Sequence, residues 1–312
     1  MIEVEALTKR YGTTNAVDGL SFTAPAGSVT GFLGPNGAGK STTMRMVVGL
    51  ERPTSGRALV HGRRYRDLRA PLHEVGSMLD ARSVHPGRSA FAHLLAMART
   101  HGISRARVMD VIEQTGLASV ARRRAGTFSL GMGQRLGVAA ALLGDPAVLI
   151  LDEPVNGLDP DGVLWVRALV RGLADEGRTV LLSSHLMHEL ALCADRVVII
   201  GQGRLLAEQA MTDVVADAGR GTVVRVRTPQ AALLAEELRR EGAEVSLDVV
   251  DGAEDTLLVH GWEPDRVGAS AQRCGATISE LIRTERSLED AYLELTAGAT
   301  QYRSRHDAGS RR

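Results

Sequence analysis

Gly34-Pro35-Asn36-Gly37-Ala38-Gly39-Lys40-Ser41 fits the spacing GxxxxGK[ST], with an apolar stretch before it and a helical pattern after it. Glycines so placed let successive backbone N–H groups turn inward around phosphate oxygens. A helix that follows adds the positive end of its dipole. In such a loop Lys40 reaches the β- and γ-phosphates, and the Ser41 hydroxyl ligates Mg²⁺. Thr42, in the same first helical turn, is counted with the nucleotide-binding residues. The alternative is a chance glycine turn. It fits poorly, because only Lys9 and Lys40 among the 37 basic residues are lysine.

A second group follows a run that only a buried strand would carry. Val148-Leu149-Ile150-Leu151 is wholly apolar and ends in Asp152-Glu153. A buried parallel strand releases its polar residues at its carboxyl end. Asp152 is then placed to hold Mg²⁺ from the side opposite Ser41. Glu153 is placed to polarise an attacking water. An ordinary solvated strand end would look the same in isolation.

These residues need a frame. Short strands are expected over 2–7, 20–24, 28–33 and 57–60, with a helix over 41–49. Residues 89–101, 104–115 and 131–143 carry helical apolar spacing. Strands at 147–151, 178–183 and 196–200 then alternate with helices near 160–175 and 185–193, which indicates a parallel α/β sheet covered on both faces. Gly201-Gln202-Gly203 reads as a hairpin turn into a strand over 204–207. A short helix and linker span 211–221. Beyond them the expected order is strand 222–227, helix 231–240, strands 243–249 and 255–260, helix 264–274 and strand 276–281. That is the βαββαβ order of a ferredoxin-like α+β domain. A further helix is read over 287–295, and a disordered tail over 298–312.

Composition narrows the class. The 312 residues, 44% hydrophobic, suffice for one large domain and one small one. Net charge is zero and aromatics are 3%, so neither a basic surface nor stacking rings suggest a nucleic-acid partner. Two cysteines without a CxxC pair suit a reducing compartment. There is no leader-like segment and no run of 18 apolar residues, so a membrane role would run through a partner.

Four further motifs, in fixed order, make residues 1–210 resemble the ABC ATPase family, most closely the ATP-binding subunits of the daunorubicin- and bacitracin-resistance export type. Phe128-Ser129-Leu130-Gly131-Met132 stands where the family has LSGGQ, with Leu130 for a glycine and Met132 for the glutamine. Asn156-Gly157-Leu158-Asp159 resembles the D-loop, His185 the switch histidine and Tyr11 the A-loop aromatic. Asp80 takes the Q-loop position, where most members carry Gln. Taken alone, Ser129 would read as a helix N-cap and His185 as a structural histidine.

The resemblance implies a P-loop NTPase (RecA-like) core over 1–215, with an antiparallel β subdomain, a helical insert at about 80–143 and an accessory domain over 222–297. It implies that Tyr11 stacks on adenine, that His185 contacts the γ-phosphate, that Ser129 and Gly131 donate to the nucleotide of a second copy, and that Asp159 lies at the interface between copies. The expected activity is ATP hydrolysis with Mg²⁺ in a homodimer. That dimer would sit at the cytoplasmic face of the membrane, attached through a separate transmembrane permease on which the insert docks, and would drive efflux of an antibiotic or other hydrophobic drug. The alternatives are lipid, polysaccharide or ion export, a soluble ABC protein not linked to transport, or a non-catalytic binding module.

Overall fold

The structure is a computed structural model that describes residues 1–80, 84–219, 222–247, 255–285 and 292. The expected tail from 298 lies outside these residues, as does all but Tyr292 of the helix read over 287–295. The chain divides into two compact units, unit 1 over Met1–Met211 and unit 2 over Thr212–Glu294.

Unit 1 opens with an antiparallel hairpin, β1 (Ile2–Tyr11) and β2 (Thr14–Ala24). β3 (Ser28–Leu33) leaves it for a second sheet, and the glycine loop leads into α1 (Lys40–Val47). β4 (Ser55–Val60) then returns to the free edge of β1, completing a three-stranded antiparallel sheet of order β2-β1-β4. After the single turn α2 (Pro71–Glu74) comes β5 (Val75–Met78). The insert holds α3 (Ala90–Thr100), α4 (Arg105–Gln114) and α5 (Leu130–Leu142). Beyond it run β6 (Val148–Leu151), α6 (Pro160–Asp175), β7 (Thr179–Ser184), α7 (Met187–Ala191), β8 (Arg196–Gly201) and β9 (Arg204–Ala210).

The main sheet has the order β5-β6-β7-β3-β8-β9. It is parallel except for β9, which folds back antiparallel on β8 at one edge. All four residues of β6 are buried, as a strand covered on both faces requires. The core beneath it gathers Phe32, Met44, Ile150, Leu181 and Val198, with the Phe22 and Phe32 rings stacked at 5.1 Å. Each such side chain contributes about 1.5–3 kcal/mol by leaving water. β5 is the strand that the apolar pattern did not announce. Its Gly76 is a weak strand former, but a Cβ there would lie 1.9 Å from the Ala141 carbonyl oxygen, so the close crossing of α5 requires glycine.

Caps explain where the longer helices of unit 1 start. Ser89, Ser104, Ser129 and Asp159 each accept a backbone N–H with their side-chain oxygens at the starts of α3, α4, α5 and α6. α1 differs, since it starts at Gly39 with no side-chain cap.

Unit 2 continues from α8 (Met211–Gly219) with β10 (Thr222–Arg227), α9 (Ala231–Arg240), β11 (Glu244–Leu247), β12 (Thr256–His260), α10 (Pro264–Cys274) and β13 (Glu280–Glu285). The strands form one antiparallel sheet of order β11-β12-β10-β13, in which two βαβ crossovers interleave. Its core joins Val224, Val226, Leu257 and Val259 to Leu234, Leu238 and Val267 of the helices. The last strand starts four residues later than its apolar pattern suggested. The Ala276 N–H closes the end of α10 on the Ala271 carbonyl, and the Thr277 N–H is taken by Gln230 Oε1 at 3.0 Å. Those donors are therefore not available to a ladder.

Candidate active site: a glycine loop facing two strand-end acids

Strand order does what sequence spacing cannot. β6, β7 and β3 are neighbours, so their carboxyl ends bring Asp152-Glu153, His185 and the glycine loop side by side. A cleft of about 210 Å³ opens there, lined by Pro35 to Thr42, Asp152, Glu153 and Ala16. Gly37 and Gly39 hold φ of 83° and 104°, which side chains disfavour. The loop is also backed closely. A Cβ on Gly34 would lie 2.6 Å from the Ile200 carbonyl oxygen, and one on Gly39 would lie 2.5 Å from that of Ala16. The Gly203 N–H, in the β8–β9 turn, donates to the Ala38 carbonyl at 3.0 Å. With no side-chain acceptor at the start of α1, its first N–H groups are left to an anion in the cleft.

Lys40 is 6% exposed, and its ammonium is held at three points. Nζ donates to the Gly34 carbonyl at 2.6 Å and to that of Pro35 at 3.4 Å, and it lies 3.6 Å from Glu153 Oε1. The other carboxylate oxygen of Glu153 meets His185 Nδ1 at 2.8 Å. Glu153 thus bridges the loop lysine and the histidine beyond β7. Its φ of 48° is left-handed, which costs a residue with a side chain about 1–2 kcal/mol. Its N–H is received by Ser183 Oγ at 2.9 Å, and its carbonyl accepts the Asn156 N–H at 3.2 Å.

Ser183 is a site residue that motif reading missed. The same hydroxyl donates to Asp152 Oδ1 at 2.5 Å, so one buried side chain orients both acids. A signal did exist, because Ser183 and Ser184 end an apolar strand. Only the register that pairs Leu151 with Leu182 shows that the first of them faces the acids.

The remaining expected site residues lie elsewhere. Tyr11 does not line the cleft. It is about half exposed, with the Lys9 ammonium 4.9 Å from its ring centroid. Burial and a bond to Glu51 raise its phenol above the usual value. Asp80 is exposed just past the end of β5 and also does not line the cleft. Ser129 caps α5, its Oγ accepting the Met132 N–H at 3.2 Å, and Gly131 follows in the first turn. Asp159 caps α6 through the Gly162 N–H at 3.0 Å.

The donor chemistry fits a hard divalent cation. Ser41 and Asp152 offer oxygens to one cleft, and the Ser183 bond leaves the second oxygen of Asp152 open. No cluster of three or more His, Cys, Asp or Glu stands among the described residues. A cation here would therefore complete its shell with phosphate and water oxygens, as Mg²⁺ does.

A strand, glycine loop and helix facing a strand-end acid pair on a parallel sheet define a P-loop nucleoside triphosphatase. Comparison with known proteins makes this specific. The ABC transporter family matches residues 17–156, and a domain of unknown function, DUF8746, matches residues 222–289. The chain is 35% identical over 306 residues to the bacitracin transport ATP-binding protein BcrA of Bacillus licheniformis, covering 96% of this chain and 98% of that one. It is 36% identical over 325 residues to the daunorubicin/doxorubicin resistance ATP-binding protein DrrA of Streptomyces peucetius, covering 98% and 96%. The solved structure of an ATP-binding subunit of an ABC transporter superposes with a TM-score of 0.63 at 26% identity, over 70% of this chain and 93% of that one. The chain belongs to the ABC transporter family as an ATP-binding subunit, and it is an ATP hydrolase.

Proposed function

We propose that two copies of this chain close head to tail around two MgATP molecules and drive export of an antibiotic or other hydrophobic drug through a separate membrane permease. The observation that carries the catalytic part is Glu153 bridging Lys40 and His185 at the mouth of the glycine loop. In this reading the loop N–H groups from Asn36 to Thr42 and the Lys40 ammonium grip the β- and γ-phosphates, with Gly34 and Pro35 shaping the turn. Ser41 and Asp152 would hold Mg²⁺, which when bound neutralises charge on the phosphate oxygens. Glu153 accepts the proton of the attacking water as its oxygen bonds to the γ-phosphorus and ADP departs. His185 orients the Glu153 carboxylate and donates toward the γ-phosphate. Ser183 fixes both acids.

Ser129 and Gly131 complete the site of the other copy, with Asp159 between the copies. Closure removes water and assembles these donors at one moment. Tyr11, half exposed at the end of β1, is assigned to stack on the adenine, as the family resemblance implies. Asp80 adds a hard oxygen just past β5, the edge strand beside the one that carries Asp152.

Support for export comes from the two resistance and transport relatives, which align along nearly their whole length. No helix among the described residues is long and apolar enough to cross a membrane, so the span is assigned to the permease. That partner would hold this chain at the cytoplasmic face. Its docking is assigned to the insert, on the exposed 84–100 face that carries α3.

The test is Glu153→Gln. It should bind MgATP, accumulate as a nucleotide-loaded dimer and lose about 1000-fold in hydrolysis, equal to about 4 kcal/mol of transition-state stabilisation. Unchanged turnover would remove Glu153 from the role of base.

A further inference from the structure

α5 carries more than the cap at its start. Gly131, Gln134 and Arg135 fall at i, i+3 and i+4, on one side of the helix, and each faces the segment that follows the acid pair. The Leu158 side chain approaches Gly131, its Cδ2 only 3.2 Å from where a Cβ would stand. Gln134, 7% exposed, donates through Nε2 to the Asn156 carbonyl at 3.2 Å. The Arg135 guanidinium lies 4.3 Å from the ring centroid of Trp165 on α6 and also donates to the Thr115 carbonyl at 3.1 Å. Leu130 completes the set. Gly157 has φ of 75°, and a methyl added there would stand 2.1 Å from Leu130 Cδ2 and 2.9 Å from its Cγ. The leucine thus occupies the space that the missing side chain of Gly157 leaves.

We infer that Leu130, Gln134 and Arg135 lock the start of α5 to residues 156–165 within one copy, so that 129–131 and 156–159 meet the second copy as a single body. The inference rests on the two-copy reading above and adds positioning residues to it. Two segments that must both fit a partner lose conformational freedom separately if they move independently. Joined in advance, they are ordered once, when the chain folds. It also gives a reason for leucine at a position where the resembling family has glycine: Leu130 and Gly157 are complementary in shape.

The experiment is a double-mutant cycle in the Glu153→Gln background, read as MgATP-dependent dimerisation by analytical ultracentrifugation. MgATP binding to single copies at low protein concentration is measured alongside it. Leu130→Ala should weaken dimerisation about 10-fold and Gly157→Ala about 100-fold, whereas the double variant should fall about 10- to 30-fold, far short of the multiplied loss of about 1000-fold. Binding to single copies should change by less than about 2-fold throughout. Gln134→Met keeps length and loses the donor. It should weaken dimerisation about 10-fold with single-copy binding intact, and it carries the test if Gly157→Ala does not fold. Losses that multiply, or a Gln134→Met variant that dimerises normally, overturn the inference while leaving the two-copy reading in place. A Glu153→Gln parent that stays monomeric with MgATP overturns both.

Discussion

Unit 1 buries Lys40 at the start of α1 and Ser183 at the end of β7, and unit 2 buries Thr228 in a turn, Thr256 at the start of β12 and Ser270 within α10. Thr228 receives the Gln230 N–H at 3.1 Å, Thr256 donates to its neighbour Asp255, and Ser270 donates to Glu241 and to the Arg266 carbonyl. Those bonds satisfy the local backbone and the rim of a small core. In unit 1 the corresponding bonds converge from three strands on one cleft. Burial of polar atoms is therefore not enough to mark a site. What distinguishes the cleft is that the bonds of Lys40 and Ser183 meet there across strands that are distant in sequence.

The widest separation between the units should come from their best-bonded cations. Lys40→Ala removes the ammonium from the loop and should abolish measurable hydrolysis, a loss of at least about 1000-fold. Arg273→Ala breaks the bonds to Glu241 and Ser270 in unit 2 and should leave steady-state ATPase rates within about 2-fold. An Arg273 variant as impaired as the Lys40 variant would break the contrast.

Ser183→Ala is the next step down. It leaves Asp152 and the Glu153 N–H without their shared partner and should lower kcat about 10- to 100-fold, with a smaller change in KM. A purely structural serine would instead lower the melting temperature and leave kcat of the folded fraction unchanged.

What the sequence disclosed follows the range over which each signal acts. The glycine loop was legible because its eight residues are contiguous and each has a local task. Asp152 and Glu153 were legible because an apolar run ends at them. Ser183 needed the β6–β7 register, and the link from Gln134 to Asn156 needed the packing of a helix on a loop 22 residues away. Neither leaves a periodic trace. β5 was masked by the glycine that α5 demands, and β13 was displaced because side-chain and helix-end acceptors claimed the first N–H groups. Tyr11 carries no local signal of its own: its ring is half exposed beside Lys9, outside the cleft lining, and its stacking role rests on the resemblance alone.

The smallest effect compares the two thiols, one in each unit. Cys193 is buried in unit 1, and burial pushes its thiol up to about 11, whereas Cys274 at the end of α10 is partly exposed. A disulfide reagent near neutral pH should label Cys274 within minutes and Cys193 only at the rate of unfolding. Equal rates by mass spectrometry would place the two cysteines in like surroundings.

The glycine loop is walled from behind by Ala16, Ile200 and Gly203. A backbone braced in this way leaves the arriving triphosphate little to move but the Lys40 ammonium, which rests on the Gly34 carbonyl. Capture of nucleotide would then be governed by diffusion and charge rather than by loop closure and, on the two-copy proposal, the slow events of the cycle would fall to the meeting of the copies.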